Sequence, residues 1–216
     1  PGTPETQMNS CIPATRTRPG PEGLVRKRNS LLFLLLSILT PLLFSLYIYT
    51  INPRFYFIDD KVSEAIPKFY DMGRILRQGE FPSLTTHIVN GSAYALEYQY
   101  GVFNPVQILT CYLLPSFTNH ELGAWFLAAV YLMLTGAGGF ILGKNMGLNN
   151  IRALLLSTLI SLNYNGLYWN ASAWHDALMG STWVVFCLAF LAGFMQERPS
   201  AYQAIGLFVS YVLCLT

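Results

Sequence analysis

The chain has 216 residues, 53% of them hydrophobic and only 11% charged, with a formal net charge of +2. A soluble domain carries about a quarter charged residues, so the deficit points to lipid as solvent. The small net charge excludes a nucleic-acid footprint.

In chain order, residues 1–25 are rich in Pro, Gly, Thr and Arg, and a disordered tail is expected over 1–29. Arg26-Lys27-Arg28 then abuts the apolar run Leu31–Ile51. The run is too long for a signal peptide and no small-residue cleavage site follows, so a retained anchor is expected. About twenty residues as helix cover roughly 30 Å, enough to cross a bilayer. The basic cluster places the N-terminus in the cytoplasm by the positive-inside rule. Pro41 inside the span is tolerable where neighbours re-satisfy the freed carbonyl.

The segment from about 52 to 104 reads as an extracytoplasmic loop, and it holds eleven of the 24 charged residues. It opens with Asp59-Asp60-Lys61 just beyond the first span. A carboxylate pair so placed is the leading candidate for chemistry at the membrane surface, although an Asp in front of a helix also serves as an ordinary cap. From about Ser63 to Gln78 the pattern predicts an amphipathic helix lying on the bilayer. Ile66, Phe69, Gly73 and Leu76 share one face, with Glu64, Lys68, Asp71 and Arg74 spaced to pair on the other. Gly79 and Pro82 end it.

Residues 106–114 are apolar but too few to span, so a re-entrant or interfacial helix is expected. With that segment not crossing, a span at 122–143 returns the chain inward and leaves Lys144 and Arg152 in the cytoplasm. If it did cross, both basic residues would fall outside. Further spans are expected at 153–169 (outward), 179–195 (inward) and 201–216 (outward). The last would cover about 24 Å, so it is expected to be truncated and the chain to be the N-terminal part of a longer protein. Tyr164, Tyr168, Trp169 and Trp174 mark an outer aromatic belt. His175 and Asp176 therefore fall on the same face as Asp59 and Asp60.

Several motifs have plain structural readings. Gly136-Ala-Gly-Gly139 does not complete a dinucleotide fingerprint, and Gly139-x-x-x-Gly143 fits a small-residue packing face. Cys111, Cys187 and Cys214 lie in apolar stretches, and the four cysteines have no metal spacing. The three histidines are too scattered for a zinc site. Asn90-Gly-Ser92 and Asn170-Ala-Ser172 match the glycosylation acceptor pattern.

Taken together, Asp60-x6-Pro67, Arg77-Gln-Gly-Glu-Phe-Pro82, Gly91 and Glu97-Tyr-Gln-Tyr-Gly-Val-Phe-Asn-Pro105 resemble the start of YfhO-like bacterial membrane proteins. These belong to the GT-C superfamily of polytopic glycosyltransferases. The resemblance covers about residues 30–195, and His175-Asp176 before an apolar helix also fits it. Glu64 and Ser83 depart from the family's usual Gln and Trp. The resemblance implies an all-α, polytopic integral membrane enzyme of the bacterial inner membrane. Such an enzyme transfers a sugar from a polyprenyl-phosphate carrier to a cell-envelope glycan or lipid acceptor.

A phosphate leaving group departs as an anion, so one carboxylate can suffice, as general base for the acceptor hydroxyl. Alignment ranks Asp60 first, with Asp59 as its modulator. Arg54, Lys61 and Arg74 are candidates to stabilise the departing phosphate; Glu97, His175 and Asp176 are further substrate-binding candidates. Whether the acidic pair modulates itself by like-charge repulsion or holds a divalent cation, magnesium or manganese, stays open. The competing expectation is a transporter or lipid flippase, which intramembrane charges and broken helices would favour.

Overall fold

The computed structural model describes residues 21–83, 94, 101–196 and 200–214, with side chains from residue 28 onward. Asn90 and Glu97 fall outside the described residues. Among those described there are seven α-helices and no strand: α1 Pro21–Ile51, α2 Ile66–Arg77, α3 Pro105–Leu113, α4 His120–Asn145, α5 Asn150–Ser161, α6 His175–Phe194 and α7 Ala201–Cys214.

Three of them, α1 from Arg28, α4 and α6, are long and apolar enough to cross a membrane. On α1, Leu31, Leu32, Leu35, Leu39 and Leu43 stand between 44% and 61% exposed. A leucine strip of this length is a liability in water and an ordinary surface in lipid. The helix begins earlier than expected. Residues 21–29 are helical, not tail, because extending an established helix through Leu24 to Arg28 costs little once a long apolar run has nucleated it.

The helix α4 is the hub. Gly136 faces α1, where a Cβ would collide with the Ser37 carbonyl oxygen. That carbonyl lies four residues before Pro41, so it is the acceptor that proline leaves without a helical donor. On another side, a Cβ on Gly139 or Gly143 would lie 2.9 Å from the Cα of Ser157 or Ala153 on α5. The Ser157 hydroxyl donates to the Gly136 carbonyl at 2.6 Å. The small-residue face expected of these glycines is therefore the α4–α5 seam. Towards α6, Thr135 and Thr182 hydroxyls meet at 2.8 Å, and Tyr131 packs on His175 with ring centroids 5.1 Å apart. These pairings make α1 and α5 antiparallel to α4, and α6 parallel to it. The helix α7 runs back along α6, from Tyr202 against Phe190 to Cys214 near Gly180.

One expected span is corrected. The stretch 153–169 is not one helix: α5 stops at Ser161 after 12 residues, about 18 Å, and a π-turn over Asn165–Asn170 completes the return. Asn163 explains the break. Its amide donates to the Ile160 carbonyl at 2.6 Å and its oxygen accepts from Gly166 N–H at 2.8 Å, local bonds that compete with the helical ladder. The chain still returns along α4, so α6 starts at the end of the bundle where α1 finishes.

The amphipathic helix is present but is not laid on a surface. A π-turn, Lys61–Ala65, runs into α2, and Ile66, Lys68, Phe69, Tyr70, Asp71, Met72 and Ile75 are all buried. Gly73 backs onto the Cys111 carbonyl of α3, and Gly123 of α4 leaves room for the Tyr70 hydroxyl. Periodicity assigns Lys68 and Asp71 to solvent. Inside, Lys68 donates to Glu64 at 2.6 Å and the Tyr94 hydroxyl to Asp71 at 3.1 Å, so both are tolerated. The nine-residue α3 is too short to cross. Asn104 caps its start, accepting from Val106 and Gln107 N–H, and Arg77 donates to its last carbonyls at Tyr112 and Leu113.

The seam yields a contrast. Gly139→Ala, whose new methyl would lie 2.9 Å from the Ser157 Cα, should destabilise the bundle by about 1–3 kcal/mol through overpacking. Gly180→Ala, with nothing within 4 Å of the new methyl, should be neutral or stabilising by up to about 1 kcal/mol. Thermal unfolding in detergent measures both; equal melting temperatures would contradict the seam.

Candidate functional site

The site begins with a turn. Asp59 has φ of 53°, a left-handed conformation that Asp tolerates better than most residues, and its carbonyl accepts from Val62 N–H at 3.0 Å. Asp60 then occupies the N-cap position of the π-turn, yet its side chain makes no capping bond. Lys61 turns the other way. It is fully buried, and its Nζ donates to the Ala171 carbonyl at 2.5 Å.

That bond ties the first loop to the turn before α6. Asp60, Glu64, Ala65 and Phe69 thereby meet Ala173, His175 and Asp176 around one pocket of about 90 Å³. His175 is 1% exposed. Its Nε2 lies 3.1 Å from Gln107 Oε1, which also accepts from the Tyr131 hydroxyl at 3.0 Å. An amide oxygen only accepts, so Nε2 carries the ring proton and Nδ1 keeps a bare lone pair. Among the described residues Nδ1 has no partner. The ring is wedged between Phe69 and Tyr131, each centroid 5.1 Å away.

The pocket is electronegative. Lys68 offsets Glu64, whereas Asp60 and Asp176 have no hydrogen bond or ion pair among the described residues. Beneath it, loss of water pushes the Lys61 ammonium from its ordinary value near 10.5 down to about 7.

Three sequence candidates, Asp60, His175 and Asp176, are thus brought together. The others are not. Asp59 shapes the turn and does not line the pocket. Arg54 Nε bonds Glu121 at 3.2 Å on the exterior, Lys61 is sealed on a carbonyl, and Arg74 is exposed and away from the lining. The three phosphate-stabilising cations therefore do not converge: closeness in sequence does not survive a turn that sends neighbours to opposite sides. No group of three His, Cys, Asp or Glu among the described residues could hold a metal ion. Sequence reasoning missed Gln107, although a lone Gln in a nine-residue apolar helix was a visible signal. The Glu64–Lys68 pairing expected from their spacing is present, at the pocket wall.

A second cavity, of about 130 Å³, lies at the break after α5 and is lined in part by Thr135, Ser161, Asn163, Asn165, Asn170 and Ser181. No charged residue lines it. In the nearby acceptor triplet Asn170-Ala-Ser172, Ser172 is buried with its hydroxyl bonded to the Tyr168 carbonyl.

Compared with protein-family models, curated proteins and solved structures, the chain finds no match in any of the three.

Lys61 has a pH signature. Between about 7 and 10.5 the unfolded chain holds its proton and the folded one does not, so stability is lost as pH falls through that window and is level below it. The slope is at most about 1.4 kcal/mol per pH unit. Lys61→Met should remove this component, measured as the wild-type minus variant difference in unfolding between pH 7 and 10; an unchanged difference would refute a buried, neutral-favouring Lys61.

Proposed function

We propose that the protein is a glycosyltransferase of the bacterial inner membrane, GT-C-like in plan, with a cytoplasmic N-terminus. It moves a sugar from a polyprenyl-phosphate carrier to a cell-envelope acceptor on the extracytoplasmic face. The observation that carries this reading is the meeting of Asp60 with the sequence-distant neighbours His175 and Asp176 in one pocket at the loop end of an apolar bundle. Asp60, uncapped and unpaired, takes the proton of the acceptor hydroxyl. The acceptor oxygen bonds to the sugar's anomeric carbon as the carbon–oxygen bond to phosphate breaks, and the carrier phosphate leaves with the electron pair. His175 Nδ1, without a partner among the described residues, is a neutral acceptor for a donor group of the acceptor molecule other than the reacting hydroxyl. The apolar carrier tail lies in the bilayer beside the same helices.

A second reading, transport, draws on the broken return crossing. Irregular backbone around an uncharged polar cavity is how many transporters build a substrate site. Against it, the apolar stretches of α1, α4 and α6 contain no Asp, Glu, Lys or Arg.

Asp60→Asn should lower transfer from polyprenyl-phosphate sugar by about 10²–10⁴-fold, the usual worth of a general base, with unchanged melting in detergent. Full transfer by a folded variant would remove Asp60 from the chemistry, and substrate counterflow in proteoliposomes without any transfer would favour transport.

A further inference from the structure

The groups around the first pocket are the wrong partners for phosphate and the right ones for a cation. Asp60, Glu64 and Asp176 line it, Lys68 pairs with Glu64, and Lys61 is turned onto the Ala171 carbonyl. His175, 99% buried by its 1% exposure, adds an imidazole nitrogen with a bare lone pair and no partner among the described residues. Among the described lining residues, every polar side-chain group without a partner is therefore an acceptor. Phe69 contributes an aromatic ring to the same wall.

Which cation fits follows from spacing. A bare divalent ion demands several ligands at about 2.0–2.6 Å, and no three of the described acids, histidines and cysteines come that close together. A primary ammonium reaches further. Its three N–H donors span acceptors at about 2.7–2.9 Å from nitrogen in different directions, and its charge is favoured over an aromatic face within about 6 Å. We propose that this pocket binds the protonated primary amine of the acceptor molecule, with Asp176 as its principal carboxylate and His175 Nδ1 as a neutral acceptor. The identification of the amine's owner as the acceptor rests on the transferase reading; the selectivity for an amine does not. The amine can arrive on an aminophospholipid headgroup or on a soluble amino sugar.

The experiment uses the 216-residue chain in phosphatidylcholine–phosphatidylglycerol nanodiscs. Phosphatidylethanolamine in the bilayer and glucosamine in solution are each compared with their N-acetylated forms, by native mass spectrometry and by titration. At least one amine should bind tenfold or more tighter than its N-acetyl form, and the arm that responds identifies the source. Asp176→Asn should abolish most of that preference and Asp176→Glu should retain it. Equal binding of amine and N-acetyl forms in both arms would overturn the proposal, a comparison that needs no variant. Full preference in folded Asp176→Asn would overturn it as well. Amine selectivity without sugar transfer would sink the transferase reading alone, and transfer without amine selectivity would sink this inference alone.

Discussion

Everything in this bundle depends on how closely three helices can approach α4. In lipid, burying apolar side chains between helices gains little over leaving them against acyl chains, so contact comes from backbone proximity. The helix α4 supplies it with glycines on more than one side: Gly136 towards α1, Gly139 and Gly143 towards α5, and Gly138 against Val185 and Phe186 of α6. The first of these also resolves a backbone problem. Pro41 strips the Ser37 carbonyl of its donor, and Gly136 lets α4 come up against that oxygen instead of burying it against a side chain. A proline that would break a soluble helix is thus absorbed by its neighbour's missing methyl.

At the loop end a different force operates. There Tyr56, Ile66, Phe69, Met72, Leu114, Leu127 and Leu178 belong to one apolar cluster that joins α2 to the loop-end parts of α4 and α6, where the ordinary hydrophobic effect acts. The cluster holds α2 in place, and α2 holds the pocket wall. The Lys61–Ala171 bond then sets the pocket's other wall, since it alone ties residue 61 to the turn before α6 by a side chain. A buried ammonium with a single carbonyl partner is a poor source of stability. Its position is better understood as fixing where Asp60 points: the backbone that carries Lys61 inward leaves the preceding carboxylate on the cavity.

The parts of this arrangement that sequence makes legible are those governed by long-range averages. Spans near 31–51 and 122–143 follow from apolar length, and the sharing of one end by Asp60, His175 and Asp176 follows from counting crossings. The count survives even though the 153–169 crossing is not one helix, because parity depends on whether the chain returns and not on how. What escapes is local and two-sided. Asn163 ends α5 by bonding to its own neighbours, a choice invisible to a hydropathy average. In α2, helical periodicity predicts one wet face, but Glu64 and Tyr94 satisfy Lys68 and Asp71 so that both can be enclosed. Arg54 and Arg74 fail as site residues for a related reason: adjacency along the chain says nothing about the direction a turn will send each side chain.

The charge distribution constrains any transfer reaction more tightly than the motif does. A general base and a departing phosphate both carry negative charge and repel, an effect moderated by water at the exposed Asp60 and Asp176. Of the cations nearest Asp60 in sequence, Arg54 pairs with Glu121, Lys61 is turned onto the Ala171 carbonyl, Lys68 pairs with Glu64 and Arg74 lies away from the lining. The consistent solution separates the two poles. Under the proposed function the acceptor would occupy the acidic pocket, where its own positive charge would offset Asp176 and leave Asp60 to the hydroxyl. The donor phosphate, bonded to the anomeric carbon from the start, would then leave from the face opposite the incoming acceptor oxygen, as displacement requires. On this view the acidity that makes the pocket hostile to phosphate is what orients the reaction.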